Sequence, residues 1–209
     1  MLPRLYPIVD TVVAAKSGLS PVDIAAALLE AGVTILQYRH KGTFTRNRFE
    51  EAETIAALCA GRCVPYVVND RADIALLLDA GLHIGQGDLP FEAARRVLPT
   101  QPIGFSTHNQ KQFEAAPEDA AYVALGPVFT TGSKENPDPV VGLIELARLA
   151  AQKSHPLVAI GGITLETAPS VWNAGADSIA VISALVPEGA TPSIIREAAQ
   201  KWLAVASMV

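Results

Sequence analysis

The chain has 209 residues, and 16 Lys and Arg against 21 Asp and Glu give a formal net charge of −5. Half of the residues are hydrophobic and 18% are charged, which argues against a disordered chain, and the acidic balance without a Lys/Arg run argues against a general nucleic-acid-binding surface. The N-terminal segment MLPRLYPIVD lacks the apolar run and cleavage site of a signal peptide, and no apolar stretch approaches the roughly 18 residues of a membrane span, so we expect a cytoplasmic protein without a membrane partner.

Eight short segments rich in Val, Ile, Leu and Tyr recur along the chain, and an Ala/Leu-rich stretch with helical spacing follows each of them. The predicted strands are Leu5 to Val9, Thr34 to Tyr38, Pro65 to Val68, Leu82 to Ile84, Ile103 to Phe105, Tyr122 to Leu125, Leu157 to Ile160 and Ser178 to Ile182. The predicted helices are Pro21 to Ala31, Arg46 to Ala60, Ala72 to Ala80, Phe91 to Leu98, Gln110 to Ala116, Leu143 to Gln152, Leu165 to Ala174 and Thr191 to Ala204.

The alternation predicts an α/β protein, and its regularity favours one (β/α)8 TIM barrel over residues 1–209. Eight units of about 26 residues run to both termini without a linker or a break in composition. A doubly wound sheet with fewer strands is the competing fold. In a barrel, the residues that follow the strands face the active site.

Cys59 and Cys63 are the only cysteines. Two cysteines are too few for a disulfide framework or a four-ligand zinc site. We interpret them as inert thiols on or beside a helix end.

Asp70 and Asp88 follow the third and fourth predicted strands, so adjacent loops could hold their carboxylates close together. At about 4 Å and an effective dielectric constant near 20, two carboxylates repel each other by roughly 4 kcal/mol. A shared proton, an Arg or a divalent cation could offset this repulsion, and ligands that are all oxygens favour Mg2+. The alternative is structural: Asp70 caps the following helix, and Asp88 caps the turn before Leu89 and Pro90.

The run from Gln37 to Lys41 ends the second predicted strand. Alternation turns Gln37, Arg39 and Lys41 in one direction, where an Arg fork and a Lys ammonium suit phosphoryl oxygens. Asn69 adds a neutral donor from the next strand. A solvated charged turn is the alternative interpretation of this run.

A long loop follows the sixth predicted strand, and loops of this length are commonly functional or mobile. Thr131, Gly132, Ser133 and Lys134 form a candidate anion clamp and lid in this loop. Gly161 and Gly162 follow the seventh strand, and Ile182 with Ser183 follow the eighth, where barrels commonly bind phosphate through backbone N–H groups.

The summed charges distinguish the charged residues of the candidate site from its Gly and hydroxyl residues. Arg39, Lys41, Lys134 and one Mg2+ carry five positive charges against two negative ones from Asp70 and Asp88, a surplus of three. A diphosphate monoester carries roughly −3 near neutral pH. The charged group therefore suits a diphosphate, and the Gly and hydroxyl group suits a second, smaller phosphate.

Two histidines lie on or beside the predicted strands. His108 follows the fifth strand and is either an acid/base or a hydrogen-bonded structural imidazole. His83 lies inside the fourth strand, and we interpret it as structural.

At these residues the sequence closely resembles the thiamine phosphate synthase family, and the matching segments occur in the family's order over nearly the whole chain. They are LYPIVD, GVTILQYRHK, VVNDRADIAL, GLHIGQGDLP, IGFSTHN, YVALGPVFTTGSK, VAIGGIT and IAVISAL. The resemblance implies a transferase that joins a hydroxymethylpyrimidine, supplied as its diphosphate, to a thiazole phosphate, carboxylated or not. Thiamine phosphate and diphosphate would be the products.

Carried over residue by residue, the resemblance implies that Gln37, Arg39, Lys41 and Asn69 hold the pyrimidine diphosphate. Tyr38 and His40, which lie between them in the run, are included among the expected substrate-binding residues. It implies that Asp70 and Asp88 bind Mg2+ as the cofactor and that Ser106 contacts the pyrimidine. The thiazole phosphate would lie among Thr131, Gly132, Ser133, Gly162, Ile182 and Ser183. Lys134 would reach the diphosphate, and Arg39, Lys41, Ser106 and Lys134 would be the catalytic residues of a dissociative reaction without a protein nucleophile.

His40 departs from the family, which often has an acidic residue at this position, but alternation turns it away from the diphosphate. Two rival functions stay open: a thiazole tautomerase of the same fold that uses His108 as acid/base, and a noncatalytic phosphate-binding barrel. The expected partners are the two small-molecule substrates and no nucleic acid. The sequence leaves open whether the chain forms a homo-oligomer.

Overall fold

The computed structural model describes residues 2–131 and 138–208, and in it eight parallel strands close into a barrel in sequence order, with the last strand pairing with the first. The (β/α)8 prediction is therefore confirmed. The strands are β1 (Leu5–Asp10), β2 (Leu36–Arg39), β3 (Tyr66–Asn69), β4 (Gly81–Ile84), β5 (Ile103–Thr107), β6 (Tyr122–Leu125), β7 (Leu157–Ile160) and β8 (Ser178–Val181).

Helices surround the barrel. They are α1 (Thr11–Ser17), α2 (Pro21–Glu30), α3 (Arg46–Ala60), α4 (Ala72–Leu77), α5 (Phe91–Val97), α6 (Gln110–Glu114), α7 (Gly142–Ala150), α8 (Ala168–Asn173) and α9 (Pro192–Ala206), with a 3-10 helix at Ser183–Leu185. Cys59 is buried on α3 and Cys63 is exposed just beyond it, as the sequence predicted. No single helix in the described part of the chain is long and apolar enough to cross a membrane, although α1 and α2, bent by 95°, reach that length and composition together.

The helix α1 was not predicted. Asp10 was placed just past the first strand, but it is the last residue of β1 and also the N-cap of α1. Its carboxylate accepts hydrogen bonds from the amides of Val12 and Val13, and Gly18 ends the helix in the left-handed region at φ 76°. A helix of seven residues shows too little periodicity to be recognised by pattern.

The seventh predicted helix, Leu165 to Ala174, was too long, because the corresponding helix α8 begins at Ala168. Thr164 and Thr167 bond to each other's backbone and form a turn there instead. Short polar side chains that bond to nearby backbone groups compete with helix formation in this way.

Two apolar clusters pack on the two faces of the strands. Alternation sends one set of side chains inward, where they fill the barrel, and sends the other set outward against the helices. The inner cluster contains Tyr6, Ile8, Ile35, Val67, Tyr122, Ala124, Val158 and Ala180. The outer cluster is larger and includes Tyr38, Leu82, Ile103, Leu125 and Ile179.

A pair of buried phenols lies in the barrel interior. The hydroxyls of Tyr6 and Tyr122 are 2.8 Å apart, and Gln37 Nε2 donates to the Tyr6 hydroxyl at 3.0 Å. Burial raises the pKa of Tyr6 to about 12, although its hydrogen bonds with Tyr122 and Gln37 act in the opposite direction. Burial likewise raises the pKa of Tyr122 well above its ordinary value. Both phenols therefore stay protonated in the folded protein at neutral pH.

We expect Gly104→Ala to destabilise the fold by about 1–3 kcal/mol, because a Cβ at this position would overlap the ring of Tyr122 and overpack the barrel. Gly87→Ala is the matched control, since a Cβ there meets no atom within 4 Å. Urea unfolding of both variants measures the difference, and equal stabilities would show that the Tyr122 ring can shift without cost.

Because the pKa of Tyr6 is raised, the free energy of unfolding changes with pH in the alkaline range. Between about pH 10 and pH 12 only the unfolded chain loses the Tyr6 proton, so stability is kept below pH 10 and falls as the pH rises through this window. We expect Tyr6→Phe to be less stable than the wild type at neutral pH. Between pH 10 and pH 12, the free energy of unfolding of the variant should fall less steeply than that of the wild type, by up to about 1.4 kcal/mol per pH unit. Chemical denaturation from pH 9 to 12 measures the slopes, and parallel curves would contradict the assignment.

Candidate active site

A cavity opens at the carboxyl ends of the strands, where the sequence placed the polar residues. Eleven of the residues predicted for the site line it. They are Gln37, Arg39, Lys41, Asn69, Asp70, Asp88, Ser106, Thr131, Gly162, Ile182 and Ser183. Closure of the barrel therefore brings residues that are distant in sequence to the lining of one cavity.

Tyr38 and His40, which we predicted among the substrate-binding residues, do not line the cavity, because alternation along β2 keeps both of them out of its wall. Tyr38 is 1% exposed, packs between β2 and α3, and donates to Glu51 Oε1 at 2.6 Å. His40 bonds to the Thr11 hydroxyl at 2.8 Å and to the Thr43 carbonyl oxygen at 3.2 Å. Both side chains therefore contact residues behind the cavity wall.

The carboxylates of Asp70 and Asp88 meet at one side of the cavity, with the ammonium of Lys41 beside them. Lys41 Nζ is 2.5 Å from Asp70 Oδ2 and 3.9 Å from Asp88 Oδ1. The Gly85 amide donates to Asp88 Oδ2 at 2.8 Å. Lys41 therefore places one positive charge beside two carboxyl groups.

The two carboxyl groups hold protons unequally. Burial raises the pKa of Asp70, and the neighbouring Asp88 adds to this while Lys41 opposes it. For Asp88 burial also acts upward, but hydrogen bonds from Asp70 and from the Gly85 amide outweigh it and lower its pKa. Nearby positive charge therefore stabilises the pair, and Asp88 ionises more readily than Asp70.

The alternative interpretation was that Asp70 caps the following helix and Asp88 caps its turn, and it holds only for Asp88. Asp88 does close its turn through the Gly85 amide. Asp70 does not cap the next helix, because Arg71 is the N-cap residue of α4 and that cap has no side-chain hydrogen bond. Instead, Asp70 takes a left-handed backbone conformation at φ 65° and its amide donates to the His83 carbonyl. A non-glycine residue in that conformation is uncommon and is enriched at functional sites.

Asn69 offers an unused donor next to these charges. Its side chain lines the cavity, the residue is 6% exposed, and Nδ2 is buried without a hydrogen-bond partner among the described residues. A buried amide N–H without a partner costs free energy, which a ligand oxygen would recover.

Ser106 is connected to the buried phenols through His83. His83 Nε2 lies 2.8 Å from Ser106 Oγ, and Nδ1 lies 3.0 Å from the Tyr122 hydroxyl. One arrangement gives each phenol proton an acceptor: Gln37 donates to Tyr6, Tyr6 to Tyr122, Tyr122 to His83, and His83 to Ser106 Oγ. Ser106 then keeps its own proton for a ligand. His83 is thus held by hydrogen bonds at both ring nitrogens, and it also lines the cavity.

His108 is anchored by the backbone. Its Nδ1 donates to the Gly126 carbonyl at 2.6 Å and lies 3.5 Å from Asp138 Oδ2. This agrees with the structural interpretation of His108, although the ring also borders the cavity.

Among the described residues, the opposite side of the cavity, next to β7 and β8, has no Asp, Glu, Lys or Arg side chain. Gly161 and Gly162 have φ values of 99° and 67°, and a Cβ on Gly162 would lie 2.7 Å from the Phe129 carbonyl oxygen. Glycine is therefore required where β7 meets the loop after β6. Gly162, Ile182 and Ser183 border a surface without charged side chains of their own.

Gly132, Ser133 and Lys134 lie outside the described residues, so the predicted clamp is represented only by Thr131, which reaches the cavity. The sequence reasoning also missed one charged residue, Asp10, which pairs with Arg39. Its position after a strand on the same rim was visible in the sequence, but its partner was not.

Comparison with known proteins agrees with this arrangement. A family model for thiamine monophosphate synthase matches residues 5–185. The thiamine-phosphate synthase of Koribacter versatilis is 45% identical over 193 residues, covering 88% of this chain and 90% of that protein. The thiamine-phosphate synthase of Chloroflexus aurantiacus is 40% identical over 185 residues, with coverage of 88% and 85%.

A solved structure leads to the same family. The thiamine phosphate pyrophosphorylase from Pyrococcus furiosus superposes with a TM-score of 0.85 at 32% identity and covers 98% of this chain and 96% of its own. The resemblance found in the sequence motifs is therefore confirmed, and the chain belongs to the thiamine monophosphate synthase family.

Proposed function

We propose that the protein is a Mg2+-dependent thiamine phosphate synthase, a transferase that joins a hydroxymethylpyrimidine, supplied as its diphosphate, to a hydroxyethylthiazole phosphate. The observation that carries the proposal is the convergence of Arg39, Lys41, Asn69, Asp70 and Asp88 on one side of a cavity whose other side, within residues 2–131 and 138–208, has no Asp, Glu, Lys or Arg side chain. A charged and a neutral anion-binding surface facing one another suit a diphosphate and a monophosphate substrate.

The donor set fits Mg2+. Asp70 and Asp88 offer oxygen ligands only, and the position of the Lys41 ammonium beside both supports a cation site there. Among residues 2–131 and 138–208, no cluster of three or more His, Cys, Asp or Glu side chains could hold a metal. Two carboxylates completed by water and substrate phosphate oxygens are a common ligand set for Mg2+. When bound, Mg2+ would neutralise charge that develops on the departing diphosphate.

The side chains of the charged side bind and orient the diphosphate. Arg39 and Lys41 contact its oxygens, and the unpartnered Asn69 Nδ2 donates to another. The Ser106 hydroxyl, with its proton free, orients the pyrimidine ring. Binding at the neutral side, at Gly162 and Ser183, holds the thiazole phosphate so that its ring nitrogen faces the reacting carbon.

The reaction needs no protein nucleophile. The bond between the methylene carbon of the pyrimidine and the diphosphate oxygen breaks, and its electron pair leaves with the diphosphate. The lone pair of the thiazole nitrogen then forms the new bond to the carbocation, and no proton has to move. Catalysis consists of alignment and of fixed positive charge at the leaving group.

Incubation with both substrates, with and without Mg2+, tests the proposal when diphosphate and thiamine phosphate are both quantified. Equal amounts of the two products, formed only with Mg2+, are expected. Rearrangement of the thiazole without diphosphate release would instead identify a tautomerase, and binding of both substrates without either reaction would identify a noncatalytic phosphate-binding barrel.

We expect Asp70→Asn and Asp88→Asn each to lower kcat by roughly 100-fold or more, which is the scale of losing one electrostatic contact to the transition state. Asp73→Asn is the matched control, because Asp73 pairs with Arg71 on the surface and does not line the cavity. Steady-state kinetics in saturating Mg2+ measure the loss. Full activity of either cavity variant would remove that residue from the proposed metal site.

Lys41 provides a test that does not depend on turnover, because its ammonium takes the position of a cation beside Asp70. We expect Lys41→Gln to bind Mn2+ several-fold more tightly than the wild type at pH 8 without diphosphate, and to bind Mn2+ with inorganic diphosphate more weakly. Electron paramagnetic resonance of free Mn2+ measures both affinities, with Lys111→Gln as the control. Weaker Mn2+ binding under both conditions would show that Lys41 does not compete with the metal.

A further inference from the structure

Asp10 is a buried carboxylate outside the cavity wall. Its side chain is 4% exposed, and it belongs to β1 at the position that pairs with Arg39 of β2. Oδ1 accepts hydrogen bonds from the amides of Val12 at 2.9 Å and Val13 at 3.0 Å. Oδ2 accepts from Arg39 Nη1. The carboxylate is therefore fixed from two directions by three donors.

Arg39 is the group that this carboxylate shares with the cavity. Its guanidinium lines the cavity and its side chain is 17% exposed. The contact to Asp10 uses Nη1, and a guanidinium has five N–H donors in a planar fork, so the others can still reach a ligand. The long Arg side chain would otherwise sample several rotamers, and fixing one of them before the ligand arrives removes an entropy cost from binding.

The net charge of the described site residues makes a different prediction from this geometry. Arg39 and Lys41 carry two positive charges, whereas Asp10, Asp70 and Asp88 carry three negative ones. By charge alone, Asp10 weakens the attraction for an anion, and its removal should tighten binding. By geometry, its removal frees the guanidinium and should weaken binding. The two effects have opposite signs.

We propose that Asp10 is a positioning residue that holds the Arg39 guanidinium toward the diphosphate and ties this orientation to the N-terminus of α1. The inference rests on the proposed function only in naming the diphosphate as the ligand. Asp10 itself contacts no substrate, and its effect on binding and turnover passes through Arg39.

Asp10→Asn separates this role from helix capping. Asn caps helices as well as Asp does, so its Oδ1 can keep the amides of Val12 and Val13. The amide nitrogen then faces Arg39 Nη1, and because two donors cannot bond to each other, the guanidinium must turn away. Asp23→Asn, an exposed Asp in the first turn of α2, is the matched control.

The experiment is a double-mutant cycle of Asp10→Asn and Arg39→Gln in the full chain. Binding of inorganic diphosphate with Mg2+ is measured by calorimetry, kcat and KM by steady-state kinetics, and folding by thermal unfolding. We expect Asp10→Asn to weaken diphosphate binding by roughly 10-fold to 100-fold, the scale of one charge-assisted contact, and Asp23→Asn to leave it unchanged. The double variant should bind no more weakly than Arg39→Gln alone.

The outcomes separate the possibilities. Additive losses in the cycle, or diphosphate binding by Asp10→Asn that is unchanged or tighter, would overturn the proposal. If Asp10→Asn does not fold, Asp10→Ser, which also caps a helix, replaces it in the cycle, and failure of both to fold while Arg39→Gln folds assigns Asp10 to stability alone. A non-additive cycle in diphosphate binding without thiamine phosphate formation would refute the proposed function and leave the positioning role standing.

Discussion

Two carboxylates held together at the mouth of a barrel require positive charge, and the rest of the site is arranged around that requirement. Asp70 and Asp88 are both partly buried, and Lys41 Nζ lies within 2.5 Å of one and 3.9 Å of the other. Arg39, the second cation of this side, is paired with Asp10 instead. Arg39 and Lys41 thus each already have an anionic partner, and this is one reason for our proposal that a divalent cation accompanies the diphosphate.

Barrel closure explains why these groups meet. Lys41, Asp70 and Asp88 follow the three consecutive strands β2, β3 and β4, whereas Gly162 and Ser183 follow β7 and β8 on the other side of the same opening. The strands are buried on both faces, so their carboxyl ends are held in place by two apolar clusters. Buried hydrogen bonds extend this rigidity from Tyr6 and Tyr122 through His83 to Ser106. The residues that line the cavity are therefore attached to a closely packed and hydrogen-bonded framework.

Much of the fold and site could be predicted because periodicity is a local signal. The helix Arg46–Ala60 and the strands Tyr122–Leu125 and Leu157–Ile160 have the predicted bounds, since each is an uninterrupted periodic segment. Alternation along β2 assigned Gln37 and Arg39 to the cavity, and the same rule should have excluded Tyr38.

The features that escaped prediction depend on register and on contacts distant in sequence. The pairing of Asp10 with Arg39 follows from the register of β1 with β2, and the contact of His83 with Ser106 joins neighbouring strands. The sequence alone specifies neither register. The short helix α1 is fixed by a single cap and a glycine rather than by a periodic face.

We propose that the charged side of the cavity binds the diphosphate through a divalent cation on Asp70 and Asp88. A crystal structure with Mn2+ and inorganic diphosphate, in which anomalous scattering locates the metal, would test this proposal. We expect Mn2+ bound to both carboxylates, diphosphate oxygens on the metal and on Arg39, and Lys41 moved from Asp70 to the diphosphate. Diphosphate at Gly162 and Ser183, with no metal between the two aspartates, would contradict it.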